Sequence, residues 1–237
     1  MKKIIFLLLS FLIIAFTIDA QKLTKTVSKS KVVKAKTSKA KTGVNKSDKL
    51  WIDLYGKNAD GGNFSEPLYR GDKLVYHVNT GTKEYDFIVT INKYDFNKGI
   101  DFNYEMTNSS NTKGHVIISG AAKNTSKKYV NYFRGGDLKL TDAATVWLCY
   151  DNFMDLPAKK TQMTFDNGEE ETFYRQDNDE VNPVIIFKGK EMKLDAFIIN
   201  NGADGKGNKT LWVLNGSGNP LILKMDLGWT IELKEVR

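Results

Sequence analysis

The chain is poor in the residues from which binding and catalytic chemistry is most often assembled. Of its 237 residues one is a cysteine, Cys149, and two are histidines, His77 and His115. A single thiol excludes an intrachain disulfide, so stability has to come from buried apolar surface. Val146-Trp147-Leu148 and Tyr150 around Cys149 bring no imidazole or cation that would lower its pKa. That marks a packed thiol rather than a nucleophile. Strand alternation can turn His77 and His115 to solvent, and neither belongs to an HxxxH or HxH pair, so metal-ligand spacing is missing. A GxSxG elbow and a glycine-rich phosphate loop ahead of a helix are missing too. After residue 20 no apolar run approaches the ~20 residues a membrane-spanning helix needs.

The first 20 residues do hold an apolar run. Lys2-Lys3 precede Ile4–Phe16, interrupted only by Ser10, and Thr17-Ile18-Asp19-Ala20 follows. This is the plan of a secretion signal, with cleavage expected between Ala20 and Gln21. Cysteine is absent at that point, which excludes thioether lipidation there. The expected mature product carries no transmembrane segment and is periplasmic or extracellular.

The formal charge of +7 is unevenly placed. Residues 1–20 carry +1, residues 21–50 carry +9 from ten lysines and Asp48, and −3 is left for 51–237. A basic arm is joined to a mildly acidic body. Gln21–Lys49 lacks aromatics and any helical or strand period, so it reads as a disordered tether. Lys34, Lys36, Lys39 and Lys41 lie in its densest part and are candidates for contact with an anionic envelope surface, lipid or polysaccharide. Each lysine near an anionic membrane contributes about 1 kcal/mol. Nucleic acid is not expected, because no aromatics interleave with the charges for stacking.

From residue 50 to 237 short β-like runs alternate with turns, as expected of a single all-β domain. Ile100, Phe102, Tyr104 and Met106 alternate with Asp101, Asn103, Glu105 and Thr107, and Tyr85, Phe87, Val89 and Ile91 repeat the period. A period of two over that length predicts half-buried antiparallel strands. Tyr129–Phe133 reads as a further strand, and Asn201–Asn208 as a long polar loop. Leu211–Leu214, Leu221–Met225 and Trp229–Val236 read as three consecutive strands joined by Asn/Gly turns. Ala144–Tyr150 reads as a buried strand followed by one helical turn, Asp151–Leu156, ended by Pro157. A single helix over 142–156 is the alternative. Ile100–Gly120 and Leu194–Gly216 share a plan of strand, polar loop, strand and glycine, which suggests either duplication or the common form of long hairpins.

Candidate chemistry is sparse. Glu169-Glu170-Glu171 and Asp177-Asn178-Asp179-Glu180 hold carboxylates that glycoside hydrolysis would need in pairs, yet both resemble solvated turns. The second run, or Asn200–Asn208, offers oxygens for calcium without the spacing of the twelve-residue calcium loop. No catalytic, cofactor or metal residue is assigned. Trp147, Trp212 and Trp229 sit in apolar or alternating runs and read as core. Trp51 and Tyr55 are the candidates for stacking on a ligand.

Asn219-Pro220-Leu221-Ile222-Leu223-Lys224-Met225, then Gly228-Trp229-Thr230-Ile231-Glu232-Leu233, resembles the close of certain uncharacterised exported bacterial domains. Leu68-Tyr69-Arg70-Gly71-Asp72-Lys73-Leu74-Val75-Tyr76 is similar to their first strand. The resemblance implies a large curved antiparallel sheet or incomplete β-barrel of hairpins, similar in outline to periplasmic lipoprotein carriers. It brings no catalytic residues with it. The expected function is non-enzymatic binding of a lipid, acyl chain or envelope polymer. A glycan-binding β-sandwich is the alternative, and a hydrolase with an unidentified carboxylate pair a second one.

Overall fold

In the computed structural model, residues 49–57, 62–108, 111–176, 182–218 and 220–237 are described. Ala20, Gln21, the arm lysines Lys34, Lys36, Lys39 and Lys41, and the acidic run 177–180 lie outside them. The first hairpins are β1 (Lys49–Lys57), β2 (Asn63–Tyr69), β3 (Lys73–Asn79), β4 (Glu84–Asp95), β5 (Gly99–Met106) and β6 (Lys113–Ser119). Helix α1 (Gly120–Thr125) leads to β7 (Lys128–Tyr129), β8 (Gly136–Leu140) and β9 (Ala143–Ala144). Helix α2 (Tyr150–Asp155) and a 3-10 turn, Leu156–Ala158, precede β10 (Lys160–Phe165) and β11 (Glu170–Arg175). The chain closes with β12 (Val184–Phe187), β13 (Lys190–Leu194), β14 (Ala196–Asn200), β15 (Thr210–Leu214), β16 (Ile222–Asp226) and β17 (Thr230–Val236).

Pairing runs from β9 through β7, β10, β11, β14, β15, β16, β17, β3, β4 and β5 to β6 and β8. The result is an all-β, barrel-like sheet. Its end strands β8 and β9 share no ladder among the described residues, which leaves one unsealed seam. A flap of β12, β13, β1 and β2 joins at the C-terminal half of β17.

Bulges curl this sheet. In β4 the register slips between Ile91 and Lys93, so Phe87, Val89 and Ile91 face inward before the bulge and Tyr94 after it. In β17 the slip falls between Leu233 and Glu235, and Val236 takes over the inward parity. An extra residue on one strand bends it and raises the local twist, which an open sheet needs in order to close.

Large side chains pack the interior. Trp147, Tyr76, Tyr129, Phe102, Phe173 and Phe197 are each fully buried, with Phe102 against Trp147 at 5.7 Å between ring centroids. Cys149 is one of the packed groups. Its thiol donates to the Ala122 carbonyl at 3.2 Å, and burial pushes its pKa up to about 11. Nothing in that setting generates a thiolate at neutral pH.

Four departures from the sequence reading bear on function. The ladder contains parallel pairs, β6 with β8, β7 with both β9 and β10, and β12 with β17. Helix α1 adds a second short helix, started by the Ser119 hydroxyl accepting from Ala122 N at 3.1 Å. The expected strand 129–133 ends at Tyr129, because the Asn131 N–H donates to the Asp166 carboxylate at 2.7 Å rather than to a neighbouring strand. Between Ala144, which ends β9, and Tyr150, which opens α2, residues 145–149 are buried as expected but form neither a strand nor part of one long helix. Trp147 N–H donates to Thr145 O at 2.5 Å across Val146, whose φ is 44°. Ile222 N–H to Val146 O and Leu148 N–H to Pro220 O then fasten that turn to the start of β16.

Candidate functional site

Residues 130–135 form a strap between β7 and β8, and the strap borders a large concavity at the barrel mouth. Its root is fixed by Val130 N–H on Ala144 O and Asn131 N–H on Asp166. Its far end is fixed by Gly135 N–H on the Tyr104 hydroxyl at 2.8 Å. Between them Phe133 packs against Phe87 at 4.8 Å and Tyr104 at 4.9 Å. Tyr132 and Arg134 therefore point the other way, with the guanidinium 4.6 Å from the Tyr132 ring, which is 60% exposed.

Three hairpin turns complete the mouth. Thr80 comes from the β3–β4 turn and Tyr85 from the start of β4, Asp166 and Asn167 from the β10–β11 turn, and Gly228 and Trp229 from the β16–β17 turn. With Lys128, Val130, Asn131, Tyr132 and Arg134 they enclose a cleft of about 790 Å³. That is the size of a site that holds a small molecule or a few units of a polymer. Three aromatic rings line it, beside two amides, two cations and one carboxylate, and that carboxylate is already engaged by Asn131.

Behind this cleft lies a much smaller void of about 30 Å³, walled by Val78, Phe87, Met106, Phe133, Val146, Met225 and Ile231. Tyr85, Asn131 and Trp229 line both spaces, so the void opens from the floor of the cleft. Asn131 Nδ2 and Thr145 Oγ1 are buried there without a hydrogen-bond partner in the protein. The void has room for a group of one or two heavy atoms. An acyl chain does not fit in it.

The expected site residues fall elsewhere or beyond view. The Trp51 side chain lies outside the described ones. Tyr55 is exposed on β1, beside Gly216, and does not line the cleft. His77 faces Asp86 at 3.4 Å, and His115 faces Asp101 at 2.8 Å, both on the outer face of the sheet. Glu171 is tied to Lys209 and Asn201. Burial pushes its carboxyl up, but those bonds outweigh the effect and hold it below the usual glutamate range. In the loop 201–209 Asn200 Oδ1 accepts from Gly202 and Gly207 N–H, and Asp204 pairs with Lys206 at 3.4 Å. Among the described residues no three His, Cys, Asp or Glu side chains converge as metal ligands would. No helix there is long and apolar enough to cross a membrane, which leaves β-barrel insertion aside.

Tyr85 and Trp229 carry the same inward parity as the core residues that follow them, and only their place at the strand ends separates them from the core. Tyr132 and Asn131 had no signal of their own, because nothing local shows that the strap leaves the ladder. Comparison with family models, with curated proteins and with solved structures gives no match to this chain. The resemblance to exported domains thus rests on its quoted residues alone.

Proposed function

We propose that this is an exported, non-enzymatic binding protein that holds an envelope polysaccharide in the cleft at the barrel mouth. The observation that carries the reading is the contrast between the two spaces: a cleft of about 790 Å³ lined by aromatics and amides, over a void of only about 30 Å³. A lipid carrier needs a continuous apolar cavity for its chains. A glycan needs flat apolar faces for its rings and planar polar groups for its hydroxyls. Tyr85, Tyr132 and Trp229 provide the first, and Asn131, Asn167 and Arg134 the second. Lys128 and Arg134 against the single Asp166 favour a neutral or acidic polymer over a basic one.

Export rests on the signal-like run Met1–Ala20, and the lysine arm supports attraction to anionic envelope surfaces. Hydrolysis is not proposed. Asp166 is the one carboxylate among the described residues lining the cleft, and glycoside hydrolysis by acid and base or nucleophile needs two.

A glycan array probed with the full chain is expected to show binding that falls at least about tenfold in Trp229→Ala and in Tyr132→Ala. Tyr132 is exposed enough for its truncation to leave folding intact. Tyr55→Ala should bind like the parent protein. Loss in Tyr55→Ala with retention in both cleft variants would move the site to β1.

A further inference from the structure

We infer that the void beneath the cleft receives the methyl end of an acetamido substituent, so that the preferred glycan carries N-acetylated sugar units. The inference deepens the reading of the cleft as a glycan site and rests on it. Two unmet polar groups line an otherwise apolar space. Asn131 Nδ2 has an unused donor, and Thr145 Oγ1, in a residue 1% exposed, has an unused hydroxyl. An unpartnered buried polar group is costly, on the order of 1–3 kcal/mol. Among the described residues three buried side-chain atoms lack a partner, and the two that are not Asn124 Oδ1 both line this one space.

The acetamido group matches them in polarity, and its methyl matches the void in size. Its carbonyl accepts from Asn131 Nδ2, its N–H donates to Thr145 Oγ1, and its methyl occupies the void beside Phe87, Met106 and Val146. A hydroxyl in the same place would leave the apolar part of the void empty, and an ester would lack the N–H. A water there would find two polar side chains, the lower end of what holds buried water in place, and could be displaced.

The backbone holds this geometry at a cost. Val146, adjacent to Thr145, has a φ of 44°, a rare conformation for a β-branched residue. Hydrogen bonds from Trp147 and Ile222 N–H keep it there, and the turn sets Thr145 into the wall of the void. Strain of this kind gathers where a side chain must be aimed. Trp229 and Tyr85, shared by both spaces, would stack on the ring that bears the substituent.

Calorimetric titration of the full chain with chitotriose and with cellotriose tests this, because the two share linkage and ring shape and differ in the acetamido group. Chitotriose should bind at least tenfold more tightly. Thr145→Val, nearly isosteric, should cut that preference below about threefold, chiefly by weakening chitotriose. The same substitution removes an unmet polar group from the interior, so its Tm should rise by about 2–4 °C. A merely structural Thr145 would change Tm and leave the preference intact. Equal affinities for the two sugars in the parent protein overturn the acetamido inference while the cleft remains a glycan site. Binding of neither sugar, with other glycans captured on the array, also overturns it. Capture of no glycan at all overturns both readings.

Discussion

Gly99→Ala is expected to destabilise the fold by about 3–5 kcal/mol, far more than the same change at Gly71. Gly99 opens β5 at a φ of 103°, a region that side chains rarely adopt. A Cβ there would sit 1.9 Å from the Ile118 carbonyl oxygen and 2.7 Å from the Ser119 carbonyl carbon. Those atoms belong to the β5–β6 ladder and to the start of helix α1, so neither can step aside cheaply. Gly71 has a similar φ of 90°, but a Cβ there meets nothing within 4 Å. Its replacement should cost only the backbone term, about 1–2 kcal/mol. Urea unfolding of the two variants separates strain from collision. Equal midpoints would show that β5 and β6 do not approach as closely as described.

Asn152→Leu is expected to cost roughly 2–5 kcal/mol, although the two side chains are close in volume. Asn152 is 1% exposed and joins three elements. Its Oδ1 accepts from the Tyr129 hydroxyl at 2.8 Å, and its Nδ2 donates to Thr161 Oγ1 at 2.7 Å and Gln162 O at 2.9 Å. The Tyr129 hydroxyl in turn accepts from Cys149 N–H at 3.0 Å. Leucine leaves the buried Tyr129 hydroxyl without its acceptor and the half-buried Gln162 carbonyl without its donor, at about 1–3 kcal/mol for the first and less for the second. The network also fixes Tyr129, where the strap over the cleft begins. Asn152→Leu should therefore weaken glycan binding in the fraction that still folds. Full stability in this variant would mean that the network is not closed as described.

Most of the strand order along the chain was legible because alternation reports which face is buried. Ile100, Phe102, Tyr104 and Met106 gave β5, and the three closing strands appear as β15, β16 and β17. What alternation cannot report is depth. Trp229 and Ile231 share one parity, yet Ile231 is buried and Trp229 lies at the mouth with one side in the cleft. Nor does it report long-range partners. Asn131 and Asp166 are far apart in sequence, and their bond diverts the strap from the sheet. Thr145 read as one more member of an apolar run, because its unmet hydroxyl depends on what surrounds it in space. The parallel pairs escaped for the same reason, since a hairpin turn announces only an antiparallel neighbour.

The central claim is that the ligand is a saccharide seated at the barrel mouth. A crystal structure of the full chain grown with the tightest oligosaccharide from the array tests it most directly. The account predicts sugar density against Trp229 and Tyr85, within hydrogen-bond reach of Asn131 and Asn167. Sugar bound against Tyr55 on β1, or an acyl chain threaded between the core strands, would contradict it.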